Sequence, residues 1–171
     1  MNYKTVLGLM LMLCCVLGVS SFAQGNRGKA ELKAGPGVIT IEYGRPALKG
    51  RDMLSQLKEG DAWRMGSNSS TTFTTPVDLM FGATKIPMGS YSLFLKKEAA
   101  NQFELVFNSQ TGQWGLQHDV KRDFAQVPMK GSTLPSSVEI FTIDLKPAPK
   151  GGVIVLSWGT TQLSSEFAFA Q

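Results

Sequence analysis

Cysteine and histidine are almost missing from this sequence. Its two cysteines are the neighbours Cys14 and Cys15, and its one histidine is His118. Because both cysteines fall in an N-terminal segment that we expect to be removed, the remaining chain should hold no disulfide, thiol nucleophile or zinc–thiolate site. A single imidazole also cannot build a metal centre that needs two or three histidines. We therefore expect no metal site.

Long hydrophobic runs are missing too, apart from one near the start of the chain. An uncharged apolar stretch of fourteen residues, Val6 to Val19, follows Lys4 and ends at the small residues of "SSFAQ". This arrangement is typical of a cleaved signal peptide, whereas a membrane-spanning helix needs about twenty apolar residues. We expect a signal peptide at 1–23, a single β domain at 24–171 without an integral membrane span, and export to the periplasm or the cell exterior.

The chain also lacks a concentrated basic surface. It has 17 basic and 13 acidic side chains, a formal net charge of +4. One of these basic residues is Lys4, which leaves with the signal peptide, and the longest basic runs are the pairs Lys96-Lys97 and Lys121-Arg122. Nucleic-acid-binding domains carry clustered lysine and arginine. We therefore expect no nucleic-acid partner.

Helical periodicity is scarce, whereas polar and apolar residues alternate along much of the chain. Clear examples are "GVITIEY" at 37–43, "QFELVFN" at 102–108 and "VEIFTIDLK" at 138–146. Such alternation predicts strands with one buried face. Corners such as "KGSTLPSS" separate the runs, and "GRDMLSQL" at 50–57 is the one helical candidate. The sequence predicts an all-β, single antiparallel β-sandwich or barrel-like domain with at most one short helix.

Polar and rigid residues crowd into the stretch 43–72, "YGRPALKGRDMLSQLKEGDAWRMGSNSSTT". Its arginines Arg45, Arg51 and Arg64 lie on corners made by proline and glycine, and guanidinium groups on rigid corners suit bidentate contacts to carboxylate or phosphate. An anion pocket is one interpretation. The other is structural: the arginines pair with carbonyl groups and with acidic neighbours, because a long loop needs internal hydrogen-bond partners. Those acidic neighbours are Glu42, Asp52, Glu59 and Asp61.

Two further residues of this stretch have both a functional and a structural interpretation. Trp63 is either a stacking platform for a sugar or base, or a plug in the hydrophobic core. The amide of Asn68 either orients a ligand or caps a turn. If the stretch is a ligand site, the side chains of Arg45, Arg51, Trp63, Arg64 and Asn68 should converge in space, with Tyr91 and Ser92 nearby.

The chain resembles the domain-of-unknown-function 2911 family of secreted bacterial proteins. The shared motifs are Tyr-Gly-Arg-Pro at 43–46, Gly-Arg at 50–51, Trp-Arg at 63–64, Gly66, Asn68, a Thr at 71 or 72, Gly-x-Tyr-Ser-Leu at 89–93 and Ser-Trp-Gly at 157–159. The resemblance extends from Ala34 to about Phe169, and Ser67 departs from the alanine that is usual in the family. The family has no established activity, so the resemblance implies an envelope protein of this layout.

Motifs for catalysis or cofactor binding are absent. There is no Gly-x-Ser-x-Gly elbow, phosphate loop or dinucleotide fingerprint, and His118 is expected in a surface turn beside Asp119. We therefore assign no catalytic residue and expect no cofactor. The favoured hypothesis is a non-catalytic binding module for a small anionic ligand, a glycan or an envelope protein. The alternative is a hydrolase at the same loop that uses carboxylates, with candidates Glu42, Asp52, Asp61, Glu104 and Asp144.

Overall fold

The computed structural model of the chain describes residues 26–170, so the expected signal peptide lies outside the described residues. Ten strands and one short 3₁₀ turn at Val120–Arg122 make up this part of the chain. The strands are β1 (Arg27–Ala34), β2 (Gly37–Gly44), β3 (Ala62–Trp63), β4 (Thr71–Thr75), β5 (Leu79–Phe81), β6 (Thr84–Ile86), β7 (Gly89–Ala99), β8 (Gln102–Asn108), β9 (Asp123–Ala148) and β10 (Gly151–Phe169). The all-β prediction is confirmed.

The strands form one antiparallel sheet whose order is β1-β2-β4-β7-β8-β9-β10-β5-β6, with β3 added beside β7. The two end strands, β1 and β6, do not pair with each other. The sheet instead bends over itself, so that β1 packs against β9 and a single core fills the space between the two layers. The result resembles a β-sandwich made from one continuous sheet.

The alternation seen in the sequence selects the residues that face this core. On β2 the buried side chains are Ile39, Ile41 and Tyr43, and on β8 they are Phe103, Leu105 and Phe107. Such side chains stand on one face of each strand because successive residues point to opposite faces. The core is rich in aromatic rings that meet edge to face, for example Phe73 on Phe107 at 5.5 Å between ring centres.

The two longest strands are bent by irregularities in their pairing. Between the pairs Gly159–Val138 and Thr161–Thr133, residues 134–137 of β9 face only Thr160 of β10. Extra residues on one strand bend it and increase its twist without ending it. The expected corner "KGSTLPSS" is therefore wrong as a strand end, because β9 continues through it in bulged form.

A second irregularity anchors the long connection between β2 and β4. Residues 139–141 of β9 face only Trp158 of β10, and they bond to this connection instead. The Leu48 amide donates to the Glu139 carbonyl at 2.9 Å, and the Phe141 amide donates to the Pro46 carbonyl at 2.9 Å. The helical candidate at 50–57 in this connection is wrong, because it forms hydrogen-bonded turns around Asp52 and Ser55.

Candidate functional site

A cleft of about 420 Å³ opens beside the connection between β2 and β4. Three parts of the chain form it: the turn at 52–55, the β7–β8 hairpin, and the bent middle of β9 and β10. Its lining residues are Asp52, Leu54, Ser55, Lys97, Asn101, Phe103, Gly131, Ser132, Thr133, Thr161 and Leu163. The volume lies within the range of small-molecule sites, about 300–1,000 Å³.

The floor of the cleft exists because a glycine occupies a strand position. Gly131 pairs with Leu163, and Thr133 pairs with Thr161, so these four residues share one face of the sheet. A Cβ at Gly131 would lie 3.6 Å from the nearest atom, Cδ2 of Leu163. That is ordinary van der Waals contact, so a Cβ fits at Gly131 without a clash. The missing side chain leaves room in the cleft beside Thr133 and Thr161.

One wall of the cleft is fixed by Lys97 of β7. The Lys97 ammonium donates to the carbonyl of Leu57 at 2.8 Å and lies 6.0 Å from the centre of the Phe103 ring. The backbone of Lys97 adds two hydrogen bonds, one from the Gly60 amide to its carbonyl and one from its amide to the Asp61 carbonyl. Residues 57–61 of the connection are thus bonded to a single residue of β7, Lys97.

The opposite rim is a small turn that holds Asp52. The Asp52 carboxylate accepts from the Ser55 amide at 3.1 Å, and the Ser55 hydroxyl donates to the Asp52 carbonyl at 3.0 Å. Aspartate commonly stabilises a turn in this way. The cleft therefore presents one carboxylate, one ammonium group, one amide and several hydroxyls around an apolar floor. Such a mixture can hydrogen-bond a small polar ligand and pack against its apolar face.

Arg45 and Arg51, which were predicted as ligand residues, lie on different corners. The Arg45 side chain packs beside Tyr43 over Gly28, where an added Cβ would come within 2.7 Å of the Arg45 Cδ. The Nε of Arg45 is buried and has no hydrogen-bond partner among the described residues. Arg51 is exposed, and its amide donates to the Leu48 carbonyl at 3.0 Å in a tight turn.

Trp63 and Tyr91 belong to the hydrophobic core and its edge. The Trp63 ring stacks on Trp158 at 5.2 Å between ring centres and meets the edge of Phe141 at 4.9 Å. Tyr91 is 8% exposed, and its hydroxyl donates to the Pro87 carbonyl at 3.0 Å. Burial, with a smaller contribution from the Asp78 carboxylate, raises the pKa of Tyr91. These contacts match the core-plug interpretation of Trp63.

Arg64 and Asn68 come together against the residues that follow β8, which we call the outer loop (109–122). The Arg64 Nε donates to the Gly66 carbonyl at 3.2 Å. Its aliphatic stem packs on Gly115, where a Cβ would lie 2.4 Å from the Arg64 Cδ. The amide of Gly115 donates to the Asn68 carbonyl at 2.9 Å. Asn68 itself has φ +64°, a left-handed conformation that asparagine tolerates well.

The structure thus brings two of the six predicted residues, Arg64 and Asn68, together through Gly115. None of the six lines the cleft. Among residues 26–170, the ion pairs likewise do not involve Arg45, Arg51 or Arg64. The backbone near Arg64 is packed closely against β2, since a Cβ on Gly44 would lie 2.2 Å from the Ser67 carbonyl oxygen. The close approach explains the need for glycine at 44.

His118 lies in the surface loop that follows β8, where the sequence suggested a surface turn, but its side chain is only 15% exposed. Its ring stacks on Phe94 at 4.0 Å between ring centres, and its Nε2 hydrogen-bonds the Asp123 carboxylate at 2.8 Å. Asn108 donates to the same carboxylate oxygen at 2.8 Å. Phe94 stands on the face of β7 that points away from the main core, and the outer loop covers it. The loop carries His118 back onto this second apolar face, which explains why the imidazole is only partly exposed.

A group of charged residues lies farther along the same outer face. Lys96 pairs in register with Glu104 and forms an ion pair with Glu98. Burial raises the pKa of Glu104, and the neighbouring Glu98 carboxylate raises it further. The ion pair raises the pKa of Lys96. None of these three residues lines the cleft.

The sequence interpretation missed most of the cleft. Lys97, Asn101, Gly131 and Thr161 come from three separate parts of the chain, and only the strand register brings them together. Asp52 was named as a candidate carboxylate, and it does line the cleft. No three histidine, cysteine, aspartate or glutamate side chains within residues 26–170 are grouped as a metal site requires. No helix in the described part of the chain is both long enough and apolar enough to cross a membrane.

Comparison with known families gives one match, which covers most of the chain. The model of a family described as a protein of unknown function, DUF2911, matches residues 26–167. The chain belongs to the DUF2911 family. This membership confirms the resemblance drawn from the motifs at 43–46, 63–64 and 157–159. No curated protein and no solved structure matched this DUF2911 chain in the corresponding comparisons.

Proposed function

We propose that this DUF2911 protein is an exported, non-catalytic binding module whose ligand site is the cleft. The cleft itself is the observation that carries this proposal, because it combines a suitable volume of about 420 Å³ with polar groups that converge on an apolar floor. Export rests on the signal-peptide pattern at 1–23 and leads us to propose a periplasmic or extracellular location.

The lining favours a neutral, hydroxyl-rich ligand such as a short glycan over a small anion. Asp52 and Lys97 contribute one charge of each sign, and the other polar side chains include the Asn101 amide and the hydroxyls of Ser55, Thr133 and Thr161. Hydroxyl and amide groups donate and accept hydrogen bonds, as sugar hydroxyls do. The arginines that would suit an anion lie elsewhere, so an anionic ligand has less support.

Binding is favoured over hydrolysis because Asp52 is the single carboxylate that lines the cleft in the described structure. Glycoside hydrolysis ordinarily needs two carboxyl groups on either side of the bond that breaks. Glu104, whose pKa is raised, lies with Glu98 outside the cleft. The hydrolase alternative therefore lacks its second carboxyl group at this site.

Thermal unfolding with a ligand panel tests the proposal. The chain from Gln24 onward is measured with glucose, N-acetylglucosamine, cellobiose, citrate and phosphate, beside Gly131→Leu and Arg64→Ala. A ligand that binds only the native state at a hundredfold excess over its Kd stabilises it by about 2.7 kcal/mol. We expect a saccharide to raise the Tm of the wild type and of Arg64→Ala, but not of Gly131→Leu, whose side chain fills the cleft.

Two outcomes contradict this assignment. If citrate or phosphate raises the Tm and Arg64→Ala abolishes that effect, the binding site is the arginine-rich stretch rather than the cleft. If no panel compound raises the Tm of any variant, the cleft does not bind small hydroxylated or anionic molecules of these classes.

A further inference from the structure

Exposed apolar side chains are concentrated in one short part of the molecule. Within residues 26–170, the large apolar residues that remain in solvent are Val38, Met88, Trp114, Leu116, Val120 and Phe124. Four of these six fall between residues 114 and 124, and the exposed fractions of Leu116 and Val120 are 76% and 67%. Scattered exposed apolar residues need no explanation, whereas a cluster marks an interaction site.

The outer loop that carries Trp114, Leu116 and Val120 is held firmly at its first half. Gln113 is 7% exposed, and its side-chain oxygen accepts from the Ser92 hydroxyl at 3.2 Å. The Ser70 amide donates to the Gln113 carbonyl at 3.1 Å. Next along the loop, Gly115 is bonded to Asn68 and packed on Arg64, as described above. Trp114 therefore projects from a backbone that is hydrogen-bonded on both sides.

The second half of the outer loop is held by the half-buried pair of His118 and Asp123. The side chains of His118 and Asp123 are only 15% and 14% exposed. Asn108 adds a hydrogen bond from its amide to the Asp119 carbonyl at 2.9 Å. The loop is therefore anchored between Leu116 and Val120 as well, while these two side chains stay in solvent.

Positive charge accompanies the exposed apolar residues. Lys121 and Arg122 follow Val120 directly, and both are exposed. The Arg122 guanidinium lies 3.7 Å from the Asp119 carboxylate, with both groups well exposed, so this pair contributes little and leaves the arginine accessible. A tryptophan and aliphatic residues next to lysine and arginine form the pattern of an interfacial membrane anchor.

We propose that the outer loop binds an anionic lipid surface. Trp114, Leu116 and Val120 enter the headgroup region, and Lys121 and Arg122 contact the lipid phosphates. A stable protein interface takes about 20–30 residues on each side, whereas these apolar residues lie within a single loop. A lipid surface requires only such a protruding apolar tip with cations beside it, so it fits the observations better than a protein partner.

Vesicle sedimentation tests this proposal. The chain from Gln24 onward is used, because it contains every described residue and lacks the apolar run at 6–19, which would bind vesicles by itself. The probes are vesicles of phosphatidylcholine alone and vesicles with an equal share of phosphatidylglycerol. We expect binding to the mixed vesicles, at least tenfold weaker binding for Leu116→Asp, and binding within about twofold of wild type for the matched control Met88→Asp.

Tryptophan fluorescence distinguishes insertion of the outer loop into the lipid from simple charge attraction to its surface. Trp114 is 49% exposed, whereas the other two tryptophans, Trp63 and Trp158, stack on each other at the core, so we expect Trp114 to dominate any change in tryptophan emission. The emission should shift to shorter wavelength with the mixed vesicles, and Trp114→Phe should remove that shift. Lys121→Gln with Arg122→Gln should weaken binding several-fold.

The proposal is overturned if the wild type binds neither vesicle type. It is equally overturned if Leu116→Asp, shown by circular dichroism to be folded, binds as well as Met88→Asp does. Capture of a protein partner by the same loop, together with absence of vesicle binding, would assign the loop to a protein interface instead.

Discussion

The connection between β2 and β4 has a longer first half, residues 45–63, and a shorter second half, residues 64–70, and the two are attached to different neighbours. The first half bonds to the irregular part of β9 at Leu48 and to β7 at Lys97, and it forms one rim of the cleft. The second half packs under Gly44 and supports the outer loop through Arg64 and Asn68. A single run of arginine, tryptophan and glycine thus serves two structural tasks, and its composition does not distinguish them.

Of the substitutions that test this comparison, Trp63→Ala should reduce the stability of the protein most. Because the indole packs between Phe141 and Trp158, we expect a loss of about 3–4 kcal/mol in the free energy of unfolding. Trp63→Phe keeps most of the packing and should cost less than half as much. Chemical denaturation measures both values. A near-neutral Trp63→Ala would show that the first half is a free surface rather than part of the core.

A substitution at Gly44, the last residue of β2, should destabilise the protein nearly as much, because the second half packs against this glycine. A Cβ there meets the backbone of Ser67 at 2.2 Å, so Gly44→Ala should cost about 2–3 kcal/mol by forcing two backbone segments apart. Gly131→Ala is the matched control, because its Cβ enters the open cleft and should change stability by no more than about 0.5 kcal/mol. Equal losses for the two variants would mean that the cleft is closed in solution.

Asn68 distinguishes a backbone role from a ligand role. Its φ of +64° costs most residues about 1 kcal/mol or more, whereas glycine adopts it freely. Asn68→Ala should therefore reduce stability by about 1 kcal/mol, and Asn68→Gly by only a few tenths. Thermal and denaturant unfolding supply the comparison. Loss of saccharide binding in a fully stable Asn68→Gly variant would instead give the amide a direct role in binding.

The smallest expected effect concerns pH and Glu104 on the outer face. Burial and the Glu98 carboxylate raise the pKa of Glu104 in the folded protein. The folded state therefore holds this proton more tightly than the unfolded state, and stability falls as pH rises from the unfolded pKa through the folded pKa. Glu104→Gln should remove that dependence, so its Tm relative to wild type should be higher at pH 7 than at pH 4. An unchanged Tm difference across this range would contradict the assignment.

The parts of the fold that depend on local pattern were predictable from the sequence. Most of β2 and the first half of β8 alternate in burial, and Pro76 separates β4 from β5 as expected. The continuity of β9 was not predictable, because Gly131 and Pro135 ordinarily mark a strand end and here belong to a bulged strand. Whether such residues end a strand depends on the partner strand, which is distant in sequence.

The cleft could not be predicted for the same reason, because its residues are distant in sequence. Asp52, Lys97, Gly131 and Thr161 become neighbours only after four strands have paired in the correct register. The partial burial of the His118 side chain likewise depends on Phe94, which lies on the face of β7 opposite to the main core. Arginine and tryptophan suggested a site by their chemistry, whereas the residues that line the cleft are of common types that carry no such signal.

Amide chemical-shift mapping by NMR tests the central claim, that the cleft is the ligand site, most directly. The labelled chain from Gln24 onward is titrated separately with glucose, N-acetylglucosamine and cellobiose. We predict saturable shifts at the amides of Ser55, Asn101, Ser132 and Thr161 with at least one of these sugars, and no saturable shift at Arg64 or Asn68. Saturable shifts centred on Arg64 and Asn68, or none with any of the three sugars, would contradict the claim.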